Sequence, residues 1–215
     1  MTDITIRNEE AGDFREVEHL VRESFWNVNV PGCCEHYLAH VLRSHADFVP
    51  ELDLVAQTAD GTLIANVMYT KSRLSGDDGT ELSVLTFGPL SVRPGFQRQG
   101  IGRRLLEETF GRVRAMGFAA VVIFGSPGNY VSRGFKSCRK YRVRTPDGRF
   151  PCALLVKELF DGALARGTQW TFHESPAYSI DSAAAAEFDA QFPPLKAEFR
   201  ASQEEFYILS RSEVR

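Results

Sequence analysis

The sequence has no run of apolar residues long enough to cross a bilayer. Its opening, Met-Thr-Asp-Ile-Thr-Ile-Arg, lacks the basic region and apolar stretch of a secretory signal. It has no basic excess either: 25 lysines and arginines stand against 28 acids, a formal net charge of -3. Nucleic acid as the main partner is thereby disfavoured, because a phosphate backbone is tracked by clustered cations. Cysteine is scarce. Cys33 and Cys34 are adjacent and Cys138 and Cys152 isolated, which is not a secreted disulfide framework. No internal repeat is visible, and no low-complexity stretch beyond the alanines at 183–186. The expectation is a cytoplasmic protein with reduced thiols and neither a membrane nor a nucleic-acid partner.

What is present is globular. Of 215 residues, 43% are hydrophobic, enough to fill a core. The length suits one domain with an appendage. Ile4 and Ile6 alternate with polar residues as a strand does. Asp13 and Glu16 form a helix-start signal, and Phe14, Val17, Leu20, Val21 and Phe25 follow at helical spacing. A second helix is expected over 35–43. Strands at 54–58 and 63–70 flank Asp60-Gly61, a hairpin turn, and 82–92 reads as a further strand. Within it, Gly88-Pro89 suggests a bulge or a break in pairing, since proline donates no ladder hydrogen bond. A helix is expected over 101–116, with Gly117 as its stop, and a buried central strand over 119–124. Strands at 135–143 and 152–159 would flank Pro146-Asp147-Gly148. Residues 181–188 and 202–209 read as helices, the second with Ser202 as N-cap. This order is an α/β layering with a mixed sheet.

The segment Val-Arg-Pro-Gly-Phe-Gln-Arg-Gln-Gly-Ile-Gly-Arg-Arg, residues 92–104, carries the functional argument. A strand runs into a glycine-rich turn that opens a helix. The first amides of a helix have no internal partners, and the dipole makes them electropositive. With Gly100 and Gly102 removing side chains, the turn is a cradle for a phosphate or pyrophosphate. A P-loop needs Lys-Ser/Thr after the last glycine, where Arg103-Arg104 stand. A Rossmann fingerprint needs a third glycine at Leu105. Both fail.

Gln97-Arg98-Gln99-Gly100-Ile101-Gly102 resembles the Q/R-x-x-G-x-G/A motif of the GNAT acetyltransferase superfamily. The stretch 86–92 resembles that family's bulged fourth strand. Gly-Ser-Pro-Gly-Asn-Tyr-Val-Ser-Arg-Gly-Phe, residues 125–135, is similar to a segment of a bacterial branch of predicted small GNAT enzymes, departing from it at Asn129 and Arg133. The resemblance implies the GNAT fold: a mixed, twisted central sheet splayed between strands four and five, helices on both faces, and here a C-terminal helical extension. It spans a domain at 1–160, with 161–215 packing on it. It implies acetyl-CoA as cofactor, held by Leu90, Ser91 and Val92 along the fourth strand, by Gln97, Arg98, Gln99, Gly100, Ile101, Gly102 and Arg103 at the pyrophosphate, and by Gly125 and Asn129. It implies Tyr130 as general acid for the leaving thiolate; the alternative reading is a packing residue.

No general base stands out among Glu51, Asp53, Glu81 and Ser83. Cys33, Cys34, His36 and His40 have chelating spacings but no second pair to complete a metal site, so no metal is expected. In the GNAT family this helix and the loop before it line the acceptor pocket, so Trp26, Cys33, His36 and Tyr37, with Glu81, are the candidate acceptor residues. Trp170, Phe172 and Tyr178 are expected to pack as a cap, with cover of the acceptor site or homodimer contacts as alternatives. The functional expectation is acetyl transfer from the thioester to an amine of a small molecule. A peptide or protein N-acetyltransferase and a non-catalytic acyl-CoA-binding module are the rivals.

Overall fold

The structure, a computed structural model, describes residues 3–164 and 167–214. The chain runs β1 (Ile4–Asn8), α1 (Phe14–Phe25), α2 (Glu35–Leu42), β2 (Leu54–Thr58), β3 (Leu63–Gly76), β4 (Glu81–Val92), α3 (Ile101–Ala115), β5 (Ala120–Phe124) and α4 (Pro127–Tyr130). It continues through β6 (Lys136–Ser137), β7 (Val143–Arg144), β8 (Leu154–Glu158), β9 (Trp170–His173), α5 (Ser182–Asp189) and α6 (Ala201–Arg211). Two compact units result. One holds Met1–Tyr69, Gly88–Thr109 and Pro176–Glu204; the other holds Thr70–Phe87, Phe110–Ser175 and Glu205–Arg215. The strands β3 and β4 and the helix α3 each contribute to both.

In the first unit β1, β2 and β3 form an antiparallel ladder, Ile6 opposite Ala56 and Ala56 opposite Ala65. The apolar stripe of α1 (Val17, Leu20, Val21) and that of α2 (Leu38, Ala39, Leu42) close over Val55, Leu63 and Met68. On the other face, fully buried Tyr69 hydrogen-bonds Thr109 of α3 through its hydroxyl at 2.7 Å. The spacing that predicted α1 was right, but Asp13 does not cap it. Its carboxylate accepts the Glu10 amide at 2.8 Å and Arg7 at 2.6 Å, closing the turn before the helix. For α6, Ser202 lies inside the helix rather than at its N-cap, and its hydroxyl donates to the Val28 carbonyl at 2.8 Å. A side-chain N-cap does occur at α5, where Asp181 accepts the Ala184 amide at 2.8 Å.

The second unit packs Leu74, Val84, Val122, Val156, Trp170 and Phe172 into one core. Here β4 and β5 run parallel, and β5 pairs antiparallel with β8, which pairs with β6. Between β4 and β5 the register is the single pair Leu85 opposite Val121; the ladder stops short of Gly88-Pro89, as the proline predicts. The expected strand at 135–143 is only two residues long. Cys138–Tyr141 coil into a 3-10 turn, with the Ser137 hydroxyl accepting the Arg139 amide at 3.3 Å. Lys136, Arg139, Lys140 and Arg142 break the apolar alternation that a buried strand needs. Conversely, Trp170–His173, read as a cap, is a strand: it pairs antiparallel with β3, Phe172 opposite Leu74, and parallel with β7.

A polar knot lies in the first unit. Arg43 forks onto Glu9 at 2.7 and 2.9 Å. Beside it Asp53 is 5% exposed, accepts Asn66 at 3.0 Å and hydrogen-bonds Glu9. Burial, more than Glu9, pushes the Asp53 carboxyl up to about 9, so the folded chain keeps it protonated at neutral pH. An unfolded aspartate titrates near about 3.9. Between those values the folded state binds the extra proton, so this group's contribution to stability is lost as pH rises through the window. Asp53→Asn reproduces the neutral form without that loss. Melting curves at pH 5 and pH 8 are expected to show the variant gaining on wild type at the higher pH; parallel shifts would contradict the assignment.

Candidate active site

The cradle belongs to the first unit. Arg93, just past β4, is fixed by its amide to the Ile64 carbonyl (2.8 Å), by its guanidinium to the Leu63 carbonyl (3.1 Å) and Glu23 (3.0 Å), and by a contact to Glu16. A 3-10 turn, Pro94–Phe96, then reverses the chain. The Gln97 side chain donates back to the Val92 carbonyl at 3.0 Å, and that of Gln99 to the Gly95 carbonyl at 3.2 Å, so the loop is braced from within. Arg98 at φ 61° and Gly100 at φ 82° are both left-handed. Such alternation turns successive amides to one side as an anion nest. The first bond of α3 is Arg104 N–H to the Gly100 carbonyl at 3.0 Å. The amides of Ile101, Gly102 and Arg103 therefore lie ahead of the ladder, at the positive end of a 15-residue helix.

The two glycines do different work. Gly100 needs its positive φ. Gly102 does not, and a Cβ there would meet nothing nearer than a Val92 methyl at 3.5 Å. Its freedom keeps the approach to the amides open. Among the three arginines, Arg103 pairs with Glu107 at 2.7 Å and Arg104 donates to the Ile4 carbonyl at 3.1 Å. The exposed Arg98 guanidinium has no such partner among the described residues. Upstream on β4, Leu90 and Val92 are half-exposed, whereas the Ser91 hydroxyl is buried without a hydrogen-bond partner among the described residues. Tyr178 stands over this strand: its hydroxyl donates to the Gly88 carbonyl at 3.4 Å, and its ring lies 3.6 Å from where a Gly88 Cβ would be.

The Tyr130 segment belongs to the second unit. The Gly125 amide donates to the Ala153 carbonyl at 2.8 Å, so that amide is committed to the protein. A Cβ on Gly125 would lie 2.6 Å from the Tyr130 ring, so glycine is what lets the phenol fold against β5. Phe87 at 5.5 Å and Phe135 at 5.7 Å, centroid to centroid, hold the ring's other sides. Burial pushes the Tyr130 phenol up to about 12, so it is protonated at any ordinary pH. Its hydroxyl has no hydrogen-bond partner among the described residues. Asn129 is exposed beside it, its carbonyl accepting from Arg133.

The candidate acceptor residues scatter. Trp26 donates to the Lys196 carbonyl at 3.0 Å under the Arg22 guanidinium. His36 is fully buried, edge-on to Phe192, with Nε2 3.0 Å from Asp189, whose carboxylate also takes Arg22 at 2.6 Å. Burial outweighs that carboxylate and holds the His36 imidazole down to about 4, so it is neutral. Cys33 lies 3.6 Å from the His36 ring, and burial raises its thiol. Tyr37 packs on Phe188. His36 and Tyr37 thus line a seam between α2 and residues 188–192, with Cys33 beside His36, whereas Trp26 lies against Lys196. Glu81 is elsewhere, exposed and paired with Arg73 in the second unit. Among the described residues no three His, Cys, Asp or Glu gather to hold a metal ion, and no helix is long and apolar enough to cross a membrane.

Comparison with known proteins places the chain in a family. The family described as the GNAT acetyltransferase domain matches residues 5–138. The Escherichia coli K12 protein named as the uncharacterized N-acetyltransferase YhbS is 31% identical over 159 residues, 74% of this chain and 89% of that one. Among solved structures, the Escherichia coli GNAT family N-acetyltransferase YhbS in complex with CoA aligns over 84% of this chain and 94% of its own, with TM-score 0.70 and 26% identity. A GNAT family acetyltransferase from Brucella melitensis in complex with acetyl-CoA aligns over 83% and 99% with TM-score 0.64; at 22% identity it supports the fold alone.

Proposed function

Because the chain belongs to the GNAT acetyltransferase family, we propose that it binds acetyl-CoA at the N-terminus of α3 and transfers the acetyl group directly to an amine of a small molecule. The observation that carries this is the open cradle: three helix-start amides at Ile101, Gly102 and Arg103, a glycine at 102 where a Cβ would meet only a Val92 methyl at 3.5 Å among the described residues, and an Arg98 guanidinium with no partner among them. That set fits a pyrophosphate, an anion that accepts several N–H groups at once. The relative crystallised with CoA supports the same reading.

The bound thioester supplies an acyl carbon activated toward an amine. The residues of the chain do the rest. The amides at 101–103 and Arg98 would hold the pyrophosphate, and the half-exposed residues Leu90 and Val92 would pair through their backbone with the pantetheine arm as an added strand. Tyr130, protonated and without a competing partner among the described residues, would give its proton to the leaving thiolate. Holding both reactants together supplies much of the remaining acceleration.

The arginines offer a specific test. Arg98→Gln is expected to weaken acetyl-CoA binding about tenfold, or about 1.4 kcal/mol, the scale of one charge-assisted contact. Arg103→Gln should do less, because Arg103 is already shared with Glu107. Equal effects by calorimetric titration would contradict this division of labour.

A further inference from the structure

The last helix, α6 (Ala201–Arg211), leaves one face uncovered. Its protein-facing side carries Gln203, which is buried, and Ser202 and Leu209, which are half-buried. Gln203 donates to the Asn27 carbonyl at 3.1 Å and to the Glu198 carbonyl at 3.0 Å. Just past the other end of the helix, the Ser212 carbonyl accepts the Cys152 amide at 2.8 Å. The middle is left to solvent. Phe206, Tyr207 and Ile208 are consecutive and all exposed, Tyr207 by 53% and Ile208 by 57%. Single exposed apolar residues are ordinary on a protein surface, but three large ones in a row mark a contact surface.

At 3.6 residues per turn, Glu204, Tyr207, Ile208 and Arg211 share one stripe, opposite Ser202 and Leu209. The stripe has an acid at its start, two apolar residues in its middle and a base at its end. The Glu204 carboxylate has no hydrogen bond or ion pair among the described residues. The Arg211 guanidinium lies over the Tyr207 ring at 3.8 Å and donates to the Ser210 hydroxyl at 3.4 Å, and no acid among the described residues pairs with it. Seven residues separate Glu204 from Arg211, about 10 Å along the axis, too far for the two to pair within one helix.

That order is self-complementary. A two-fold axis crossing the stripe midway between Tyr207 and Ile208 lays a second α6 alongside, antiparallel. Glu204 then stands opposite the partner subunit's Arg211, Tyr207 opposite the partner subunit's Ile208, and the same operation generates the second ion pair. Packed helices lie about 8–10 Å apart, a separation that side chains of these lengths span.

We propose that this stripe of α6 is the contact surface of an antiparallel homodimer. Trp170 and Phe172, the dimer contacts among the sequence-based alternatives, are fully buried and take no part. A membrane surface fits the stripe less well. Glu204 and Glu205 are exposed acids and the chain carries a net charge of -3, whereas helices that lie on anionic lipid have basic faces. One helix pair buries less than a standard interface, so the dimer is expected to dissociate with a Kd on the order of 10 µM.

The experiment is sedimentation velocity on the full chain between about 1 and 500 µM. Wild type should pass from monomer to dimer across that range. Glu204→Arg and Arg211→Glu each set like charges against each other in both pairs, and each should weaken association at least about tenfold. An equimolar mixture of these two variants should recover wild-type association, because every pair in the mixed dimer is again opposite in sign. Ile208→Asp should abolish association over the range, with a melting temperature close to wild type because the residue is exposed. A wild type that stays monomeric at 500 µM would overturn the proposal, and its cosedimentation with phosphatidylserine vesicles would assign the stripe to a lipid surface instead. A dimer that survives both charge reversals would place the interface elsewhere. A mixture that associates no better than its components would overturn the antiparallel pairing.

Discussion

Gly102→Glu is expected to weaken acetyl-CoA binding at least about 100-fold while leaving thermal stability close to wild type. The argument has two halves. For binding, the substitution puts bulk and a negative charge at the mouth of the amide cradle, where a doubly charged pyrophosphate would have to sit. At about 4 Å two like charges repel by several kcal/mol at the effective dielectric of a protein surface. For stability, the position is undemanding: the backbone there is not left-handed, and the new Cβ would meet only a Val92 methyl at 3.5 Å. A glutamate in the first turn of a helix is even mildly favourable by its dipole. Gly100→Glu is the poorer experiment, because at φ 82° any side chain strains the backbone by about 1 kcal/mol and lost binding could reflect a distorted loop. Unchanged calorimetric titration of a folded Gly102→Glu protein would refute a pyrophosphate at this site.

Tyr130→Phe is expected to lower kcat about 100-fold or more with acetyl-CoA affinity unchanged. The substitution deletes one oxygen and preserves everything that positions the ring: its fit against Gly125 and its contacts with Phe87 and Phe135. Because the hydroxyl makes no hydrogen bond among the described residues, the fold should hardly notice. Burial lifts the phenol to about 12, which makes it a reluctant acid. A thiolate leaving into the same surroundings is desolvated too, so its own affinity for a proton rises in parallel and the transfer stays matched. Steady-state kinetics checks this; a variant within about threefold of wild-type kcat would make Tyr130 the packing residue that its aromatic contacts also allow.

How far the sequence could be read follows from how local each feature is. The cradle was legible because a strand end, a turn and a helix start are written in thirteen consecutive residues, and neither Gly100 nor Gly102 depends on a distant partner for its meaning. The helices α1 and α3 were legible from apolar spacing alone. The short strand β9 was not, although Trp-Thr-Phe-His alternates: four residues carry little signal, and its partner on β3 lies far back in the chain. His36 illustrates the opposite error of emphasis. Its spacing from Cys33 and His40 invites chemistry, but burial against Phe188 and Asp189 of α5 and Phe192 just after it, about 150 residues later, leaves a neutral imidazole in a seam. At residues 135–143 the apolar ends suggested a strand, and the cluster of four cations between them was the cue against it.

The central claim is that the first turn of α3 receives the pyrophosphate of acetyl-CoA. The most direct test is an NMR titration of nitrogen-labelled protein with acetyl-CoA, following the backbone amides of Ile101, Gly102 and Arg103. These groups are expected to move downfield together and to saturate with the bound cofactor, as amides do when they gain an anionic acceptor. Binding that leaves these three amides in place, or a folded protein that binds no acetyl-CoA, would contradict the account.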